Sequence, residues 1–333
     1  MTPLIVGCGS IGRRHLRNLL SLGVDELIAC DVRADRADQV SREYGVPAFV
    51  DLQRALEQGP DVVFVCTPTS LHLQVALAAA ERSLHLFIEK PLSHTLDGVD
   101  ALLRIASRNK LVALVGCNFR FHPGLQKVKQ LLDDQAIGSV ISVRAEFGQY
   151  LPDWRPGTDY RESYSARQAL GGGIILDQVH ELDYLRWLLG EVREVFCFAQ
   201  KRSQLEMDAE DSASMLLRFA CGAAGVVQLD CVRRDYRRAC EIIGEEGILQ
   251  WDLTAREVRW YSDANKTWTH LHDPPGWTLN DMYVDELRHF LRCVRGEETP
   301  AQDLHDAHKV LAVAMAAKNS AQTGALVSIE VDA

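Results

Sequence analysis

The sequence predicts an α/β protein in which a doubly wound parallel sheet is followed by an α+β domain with a large, mainly antiparallel sheet. In the first part of the chain, short apolar runs alternate with helical patterns, which is typical of a parallel sheet with helices on both faces. Residues 192 to 271 instead contain successive strand patterns, several joined by short turns, which indicates an antiparallel sheet. Because 333 residues suffice for two cores, we predict a first domain at 1–120 and a second at 121–333.

The charge and hydropathy of the chain argue against several classes of partner. The formal net charge is -10, which disfavours binding to nucleic acid or to an anionic membrane surface. Residues Pro3 to Val6 already form a strand pattern, so we expect no signal segment ahead of the fold. No apolar run approaches the roughly 20 residues that span a bilayer. We therefore expect a cytoplasmic protein that acts on a small molecule.

A glycine-rich turn joins the first predicted strand to the first predicted helix. Gly7, Gly9 and Gly12 form a G-x-G-x-x-G pattern. Three glycines alone mark many tight turns, but a strand before them and a helix after them are specific for dinucleotide binding. Gly7 permits the turn, Gly9 lets the backbone approach a pyrophosphate, and Gly12 lets the helix pack on the strand. The amides of the first helical turn, which begins at Ser10 and Ile11, would bind the phosphates.

An acidic residue at the end of the second strand pattern indicates the cofactor. Asp31 follows the run Glu26 to Cys30, about 20 residues after the glycines, where a carboxylate accepts hydrogen bonds from the adenosine ribose. A carboxylate there repels a 2′-phosphate, which favours NAD over NADP. Arg33 and Arg36 lie close enough in sequence to weaken this preference, so NADP stays the alternative.

The alternation continues through the rest of the first domain, and its strands end in polar motifs. The predicted helices are Ala34 to Tyr44, Leu52 to Gln58, Leu71 to Arg82 and Leu96 to Arg108, and the strands are Ala48 to Val50, Val62 to Cys66, Leu84 to Ile88 and Leu111 to Val115. Thr67-Pro68-Thr69, Glu89-Lys90-Pro91 and Asn118-Phe119-Arg120 follow the last three strands. Parallel sheets bind ligands at this edge, so Lys90 is a candidate catalytic residue, although a lysine there can also simply extend into solvent.

The second domain begins with a helix pattern, a strand and an irregular stretch. Residues 150 to 161 show no regular period, and Trp154, Arg155 and Tyr160 lie within them. Long irregular loops are often functional, and aromatic side chains beside arginine suit a sugar ring or an acidic substituent. A surface loop held in place by its aromatic residues explains the pattern equally well.

A triple glycine, Gly171 to Gly173, precedes the second candidate catalytic residue. If one helix follows, a turn of 100° per residue places Asp177, His180 and Tyr184 on one stripe. A lone histidine on a helix is usually structural or exposed. An aspartate one turn away can set the tautomer of the imidazole and raise its basicity, so we predict that His180 is a catalytic base.

These motifs, in this order, resemble the glucose–fructose oxidoreductase / inositol dehydrogenase / MocA family over essentially the whole chain. The resemblance implies a Rossmann domain followed by an α/β domain whose large sheet often also forms the oligomer interface. It implies that Lys90 is catalytic. Relatives commonly place an aspartate four residues before the histidine, whereas Asp177 precedes His180 by three. Asp183, which keeps the usual spacing after His180, is therefore the alternative partner.

Together these observations predict an NAD-dependent oxidoreductase that moves a hydride between the cofactor and a CH–OH or C=O group of a sugar, polyol or sugar acid. The motif-bearing loop and helix resemble a branch associated with surface-polysaccharide and acidic-sugar biosynthesis. We expect a homodimer or homotetramer. A regulator that binds the dinucleotide without turnover, and a reductase of a sugar lactone or dihydrodiol, are the alternatives.

The predicted site needs no metal, because His305 and His308 lack a third ligand. In the predicted mechanism, His180 takes the hydroxyl proton and Lys90 stabilises the developing alkoxide. The predicted catalytic residues are Lys90, His180 and Asp177. The predicted cofactor-binding residues are Gly7, Gly9, Ser10, Ile11, Gly12, Asp31, Arg33, Thr67, Pro68, Thr69, His72, Glu89, Lys90 and Asn118. The predicted substrate-binding residues are Arg120, Trp154, Arg155, Tyr160, Asp177, His180 and Asp183.

Overall fold

The computed structural model describes residues 1–330. Its chain forms two compact units, the first made of residues 1–118 and 278–309 and the second of residues 119–277 together with the chain from residue 310 on. The last three residues of the predicted second domain, 331–333, lie outside the described residues.

The first unit contains the predicted parallel sheet. Its strands are β1 (Pro3–Val6), β2 (Ile28–Cys30), β3 (Ala48–Phe49), β4 (Val62–Val65), β5 (His85–Glu89) and β6 (Ala113–Gly116), and its first helices are α1 (Ser10–Ser21), α2 (Ala34–Tyr44), α3 (Leu52–Leu56), α4 (His72–Ala80) and α5 (Val99–Arg108). The six strands lie in the order β3-β2-β1-β4-β5-β6 and all neighbours are parallel. The strand order reverses between β1 and β4, which is the switch point where such sheets bind ligands. The prediction of a Rossmann-type domain is confirmed.

The second unit contains the predicted, mainly antiparallel sheet. Its strands are β7 (Val140–Gly148), β8 (Val192–Gln200), β9 (Ser212–Phe219), β10 (Ala224–Asp230), β11 (Arg237–Gly244), β12 (Gly247–Asp252), β13 (Glu257–Ser262), β14 (Thr267–His272) and β15 (Val327–Ser328), and its first helices are α6 (Pro123–Asp133), α7 (Ile174–Asp177) and α8 (His180–Leu189). The nine strands lie in the order β14-β13-β12-β11-β7-β10-β9-β8-β15, and β7 with β10 is a parallel pair in this otherwise antiparallel sheet.

Two C-terminal helices, α9 (Leu279–Val294) and α10 (Leu304–Thr323), complete the described chain. The division into units differs from the sequence prediction here, because residues 278–309 belong to the first unit. The reason is the apolar face of α9. Phe290 packs with its ring centroid 5.6 Å from that of Phe64 and 5.4 Å from that of Phe87. No helix of residues 1–330 is long and apolar enough to cross a membrane.

The helix predicted to carry Asp177 and His180 is two helices. Gln178, between α7 and α8, has φ -106° and ψ 41°, which is outside the helical region. A uniform turn of 100° per residue therefore does not hold from Asp177 to His180, so the predicted stripe is wrong for Asp177. His180 and Tyr184 keep their four-residue spacing within α8. Tyr184 is fully buried with its ring 5.8 Å from that of Trp251, so it belongs to the core.

A buried histidine begins α6. The Nδ1 atom of His122 accepts a hydrogen bond from the Gly124 amide at 3.0 Å, which caps the helix. Its fully buried ring packs edge-on against Trp277 and Trp251, at centroid distances of 4.7 and 5.2 Å. Burial, followed by the positive charge of two nearby arginines, lowers the pKa of His122 from 6.5 to about 3.

This shift predicts acid-sensitive folding of the second unit. Between the unfolded pKa of 6.5 and the folded pKa of about 3, the unfolded chain binds a proton that folded His122 does not. The contribution of His122 to the free energy of unfolding is therefore complete above pH 6.5 and is lost as the pH falls. At about pH 5 this group alone has lowered the free energy of unfolding by about 2 kcal/mol. Urea unfolding followed by tryptophan fluorescence checks this, because all six tryptophans lie in this unit.

His122→Asn is the matched variant, since an asparagine side chain can still cap the helix but does not titrate in this range. We expect the variant to lose less stability than the wild type on acidification. An equal loss in both proteins would show that other groups control the acid sensitivity.

Candidate active site

The glycine loop of the first unit has one open position and two crowded ones. Gly7 has φ +98°, and a Cβ atom there would lie 2.5 Å from the Cys66 carbonyl oxygen. A Cβ atom on Gly12 would lie 1.9 Å from the Gly7 carbonyl oxygen. A Cβ atom on Gly9 would meet nothing within 4 Å. Gly7 and Gly12 therefore permit the packing of α1, whereas Gly9 leaves space beside the loop.

The N-terminus of α1 provides hydrogen-bond donors at this open position. Gly9 is the N-cap, and no side chain caps the helix. Ser10, Ile11 and Gly12 form the first turn, and Ser10 is exposed. An uncapped helix N-terminus offers backbone amides and a positive partial charge to a phosphate group.

The Asp31 carboxylate lies against the same loop. It accepts hydrogen bonds from the backbone amides of Cys8 at 2.8 Å and Arg33 at 2.9 Å. The guanidinium of Arg33 is paired with Asp35 at 2.7 Å, and that of Arg36 lies 3.9 Å from Asp31. Asp31 is thus held next to the loop, as expected of a ribose ligand, and Arg36 partly offsets its charge.

The turns that follow β4 and β5 are joined by a buried histidine. The two ring nitrogens of His72 lie 2.8 Å from the Pro91 carbonyl oxygen and 2.9 Å from the Thr67 carbonyl oxygen. Burial lowers the pKa of His72 despite these contacts. His72 therefore links the backbone of Thr67, in the turn after β4, to that of Pro91, in the turn after β5.

Two polar groups at the strand ends are buried without a hydrogen-bond partner within residues 1–330. They are the hydroxyl of Thr67, after β4, and the side-chain amide nitrogen of Asn118, after β6. Buried polar groups normally have partners, so unsatisfied groups at a ligand-binding edge indicate a ligand. Lys90 follows β5 at this edge and is half-buried, and its peptide bond to Pro91 is cis.

In the second unit, buried contacts surround His180, the first residue of α8. The imidazole lies edge-on to the Phe119 ring at a centroid distance of 5.0 Å. The Arg238 guanidinium lies 4.4 Å from the centroids of both the Phe119 and the Phe147 rings. Its Nε atom lies 2.8 Å from a carboxylate oxygen of Glu181, the residue after His180. The start of α8 is therefore anchored to the sheet by a buried ion pair and aromatic packing.

Arg120 and Asp183, both predicted to bind substrate, form a buried ion pair with each other. Nη2 of Arg120 lies 2.6 Å from the Asp183 carboxylate, and Nε lies 3.1 Å from both of its oxygens. The relative exposure of Asp183 is 0%. This arrangement differs from the predicted one because a fully buried carboxylate needs a paired cation. The pair anchors α8 two residues after Glu181, within the same first turn.

Asp177 has a partner that the sequence did not reveal. The Tyr164 hydroxyl donates a hydrogen bond to the Asp177 carboxylate at 2.7 Å. The Arg155 guanidinium lies over the Tyr164 ring, 5.3 Å from its centroid, and donates to the Ser163 hydroxyl at 2.6 Å. Tyr164 lies among short 3₁₀ turns without periodicity, so the one sequence signal was its place just before the triple glycine.

The loop residues Trp154 and Tyr160 are held by backbone contacts. The Trp154 indole donates to the Gln149 carbonyl oxygen at 3.0 Å, and the Tyr160 hydroxyl accepts from the Glu206 amide at 3.0 Å. Both residues, with Arg155, line a small surface pocket. These contacts explain how the loop keeps its shape, and the pocket leaves part of both aromatic side chains accessible.

A cluster with potential metal ligands occurs elsewhere in the first unit. Side-chain atoms of His289, Cys293 and Glu298 lie within 4.8 Å of one another. Nδ1 of His289 lies 2.5 Å from the Glu298 carboxylate, and Nε2 accepts from the Ala301 amide at 2.9 Å. Burial raises the pKa of Cys293 to about 11, which keeps the thiol protonated. Protein hydrogen bonds thus account for this cluster.

Two parts of the chain match known protein families. "Oxidoreductase family, NAD-binding Rossmann fold" matches residues 1–117, and "GFO/IDH/MocA C-terminal domain" matches residues 125–250. The chain belongs to the GFO/IDH/MocA family. This GFO/IDH/MocA protein is therefore an NAD-binding oxidoreductase, and the predicted family, enzyme class and cofactor are confirmed.

Relatives of this GFO/IDH/MocA protein span several substrates. The chain is 30% identical to myo-inositol 2-dehydrogenase of Thermotoga maritima, with 98% of both chains covered. It superposes on levoglucosan dehydrogenase in complex with NADH and levoglucosan with a TM-score of 0.89, 20% identity and 99% of both chains covered. It also superposes on the WlbA dehydrogenase of Bordetella pertussis in complex with NADH and UDP-GlcNAcA. That match has a TM-score of 0.86 and 21% identity, with 100% of this chain and 98% of that chain covered. The two structural matches show a shared fold.

The loop geometry predicts different defects for two alanine variants. In Gly12→Ala the added methyl group would overlap the Gly7 carbonyl, so α1 must shift and stability should fall by about 2–3 kcal/mol. In Gly9→Ala the methyl group meets no protein atom, so thermal stability should be retained. NADH affinity of Gly9→Ala should nevertheless fall about tenfold or more, because the methyl group occupies the space beside the phosphate-binding amides. Thermal melts and NADH fluorescence titrations measure both effects, and wild-type NADH affinity in Gly9→Ala would contradict this role.

Proposed function

We propose that this protein is an NAD-dependent dehydrogenase of a sugar, polyol or sugar acid, acting at a CH–OH group or at the corresponding C=O group. The observation that carries the proposal is the set of unsatisfied and cationic groups at the strand ends of the first unit. The Thr67 hydroxyl and the Asn118 amide lack partners among the described residues, and Lys90 lies at the same edge. Groups of this kind fit a nicotinamide nucleotide and a polar substrate.

The residues that would hold NAD divide between the two halves of the first sheet. Gly9 leaves space for the pyrophosphate, and the amides of Ser10 and Ile11 would donate to it. Asp31 would accept from the adenosine ribose hydroxyls, which favours NAD over NADP. The nicotinamide nucleotide would bind at the ends of β4, β5 and β6. The Thr67 hydroxyl, which follows β4, would form a hydrogen bond with this nucleotide.

The proposed chemistry is proton transfer by the protein and hydride transfer by the cofactor. When bound, NAD supplies the hydride acceptor, or in reduced form the donor. His180 takes the proton of the substrate hydroxyl as a general base. Lys90 donates a hydrogen bond to the same oxygen and stabilises its developing negative charge. In the reductive direction the same two residues return the proton and polarise the carbonyl.

We assign the two candidate aspartates different roles. Asp183 is fully buried in its ion pair with Arg120, so its role is to hold α8 in place. Asp177 carries the hydrogen bond from Tyr164 and lies just before the break between α7 and α8. Asp177 is therefore the carboxylate that we propose to assist His180.

The substrate class follows from the family and from the loop. The relatives named above act on, or were crystallised with, a cyclic polyol, an anhydrosugar and a nucleotide-linked sugar acid. Trp154 and Tyr160 offer aromatic surfaces that suit a sugar ring. Arg155 has no carboxylate partner among the described residues, so its charge could be neutralised by an acidic sugar. This supports a place in acidic-sugar metabolism, including that of surface polysaccharides.

Substitution of the two catalytic candidates tests the mechanism. Lys90→Ala and His180→Ala should each lower kcat by about 100-fold or more, because each removes a group that acts on the reacting oxygen. NADH affinity, measured by fluorescence titration, should stay within about threefold of wild type. Exposed residues of the same types provide matched controls, Lys266→Ala and His305→Ala, which should retain full activity. Full activity in either catalytic variant would overturn its assignment.

The same assay distinguishes the enzyme from a dinucleotide-binding regulator. The wild-type protein is supplied with NAD and with inositols, neutral sugars, sugar acids and nucleotide sugars in turn, and NADH formation is followed. Reduction of NAD with one class identifies the substrate. NAD binding without turnover in either direction across the whole panel would favour a regulator and contradict the proposed function.

We also propose that the protein is a homodimer or a dimer of dimers assembled through the second sheet. Phe196, Leu216 and Val226 are cross-strand neighbours on one face of β8, β9 and β10, and Phe198 packs beside Phe196 at 4.9 Å. Phe198 is 63% exposed and Leu216 is 56% exposed. A contiguous apolar patch of this kind is costly in water, and a second copy of the same patch can cover it by two-fold symmetry.

Charge introduced into this patch should separate the subunits. Leu216→Glu would place a carboxylate in the centre of the apolar surface, where a two-fold contact would bury two like charges close together. We expect mass photometry or sedimentation to show a shift toward monomer. Gln126→Glu, which adds the same charge at an exposed position on α6, should leave the oligomer unchanged. A wild-type protein that is already monomeric would contradict the proposed interface.

A further inference from the structure

Helix α1, which carries the glycine loop, also contributes a histidine to the strand-end edge of the first unit. Nε2 of His15 lies 2.5 Å from the carboxylate of Glu89, the last residue of β5 and the neighbour of Lys90. The His15 side chain is 0% exposed and that of Glu89 is 10% exposed. A carboxylate this deeply buried needs a hydrogen-bond donor, and His15 supplies one.

The surroundings of His15 determine the charge of the pair. Its ring packs against the rings of Phe64, Phe87 and Tyr283 at centroid distances of 5.9, 5.0 and 6.3 Å. Its other nitrogen, Nδ1, is buried without a hydrogen-bond partner within the described chain. A second proton on Nδ1 would be a buried donor with no acceptor, which is unfavourable. The imidazole therefore donates from Nε2 as a neutral ring, and the pair keeps the negative charge of Glu89.

This negative charge lies at the ends of the nicotinamide-side strands. A Cβ atom on Gly116, the last residue of β6, would lie 3.4 Å from Oε1 of Glu89. The pKa of Cys66, which follows β4, is raised well above its usual value by burial and then by the charge of Glu89. Burial raises the pKa of Tyr283, the charge of Arg14 opposes this rise, and the charge of Glu89 adds to it. The carboxylate thus acts on Cys66 after β4 and on Tyr283 of α9, and it lies close to the last residue of β6.

We propose that the His15–Glu89 pair makes the protein bind oxidised NAD in preference to the reduced form. This inference rests on the proposed function. The nicotinamide ring is cationic in NAD⁺ and neutral in NADH, so a fixed negative charge on the nicotinamide side of the sheet stabilises the oxidised cofactor selectively. His15 is a positioning residue, because it holds the carboxylate in its charged form without neutralising it. The preference would favour oxidation of the substrate.

The test is the ratio of two dissociation constants, Kd for NADH divided by Kd for NAD⁺, measured by calorimetry on the purified protein. Glu89→Gln removes the charge and keeps an acceptor for His15, so this ratio should fall about tenfold. His15→Phe keeps the ring packing and removes the donor, so the carboxylate loses the contact that holds it in place and the ratio should fall in the same direction.

Two controls separate this effect from simple damage to the site. His15→Gln can present an amide donor near the position of Nε2, and Tyr283→Phe alters the same surroundings without changing the charge. Both should keep the ratio within about twofold of wild type. Damage to the fold weakens the binding of both cofactor forms together and leaves the ratio unchanged.

The outcomes for the inference and for the proposed function are distinct. If Glu89→Gln leaves the ratio unchanged, the pair has no electrostatic role toward the cofactor and the inference is overturned, whether or not the enzyme is active. If the wild-type protein binds neither NAD⁺ nor NADH, the proposed function itself fails and the inference fails with it.

Discussion

Both units of this protein depend on one physical constraint. Each contains buried carboxylates, and each of these carboxylates needs a partner that neutralises it or holds it by a hydrogen bond. Glu89 in the first unit is held by His15, and in the second unit Glu181 and Asp183 are paired with Arg238 and Arg120. A buried charge without a partner costs several kcal/mol, so each partner must stay in place for the fold to persist. These pairings restrain the side chains, and a reaction site requires groups in fixed positions.

In the first unit this constraint acts together with close backbone packing. Gly12 brings α1 against the loop that contains Gly7, and the same helix then places His15 next to Glu89. One helix therefore begins at the glycine turn and, three residues after Gly12, places His15 beside the last residue of β5. The geometry of the glycine loop and the electrostatics near Lys90 are consequences of the same packing.

In the second unit the two ion pairs hold the first turn of α8 from two directions. His180 precedes Glu181 and shares its aromatic neighbour, Phe119, with Arg238. The break at Gln178 separates this turn from Asp177, which is held by Tyr164 instead. A general base needs a fixed orientation more than it needs a particular chain spacing, and these contacts provide it. The orientation of His180 therefore depends on these contacts and not on its sequence spacing from Asp177.

The sequence alone determined the fold class, the parallel sheet implied by alternation, the glycine loop and the strand-end motifs, because these features depend on local periodicity and short-range spacing. It also indicated the family. Tertiary structure decided which charged residues pair with one another. Arg120 and Asp183 are 63 residues apart, and His15 and Glu89 are 74 apart. No local pattern encodes such contacts, since they arise only when distant segments are buried together and their charges must be compensated.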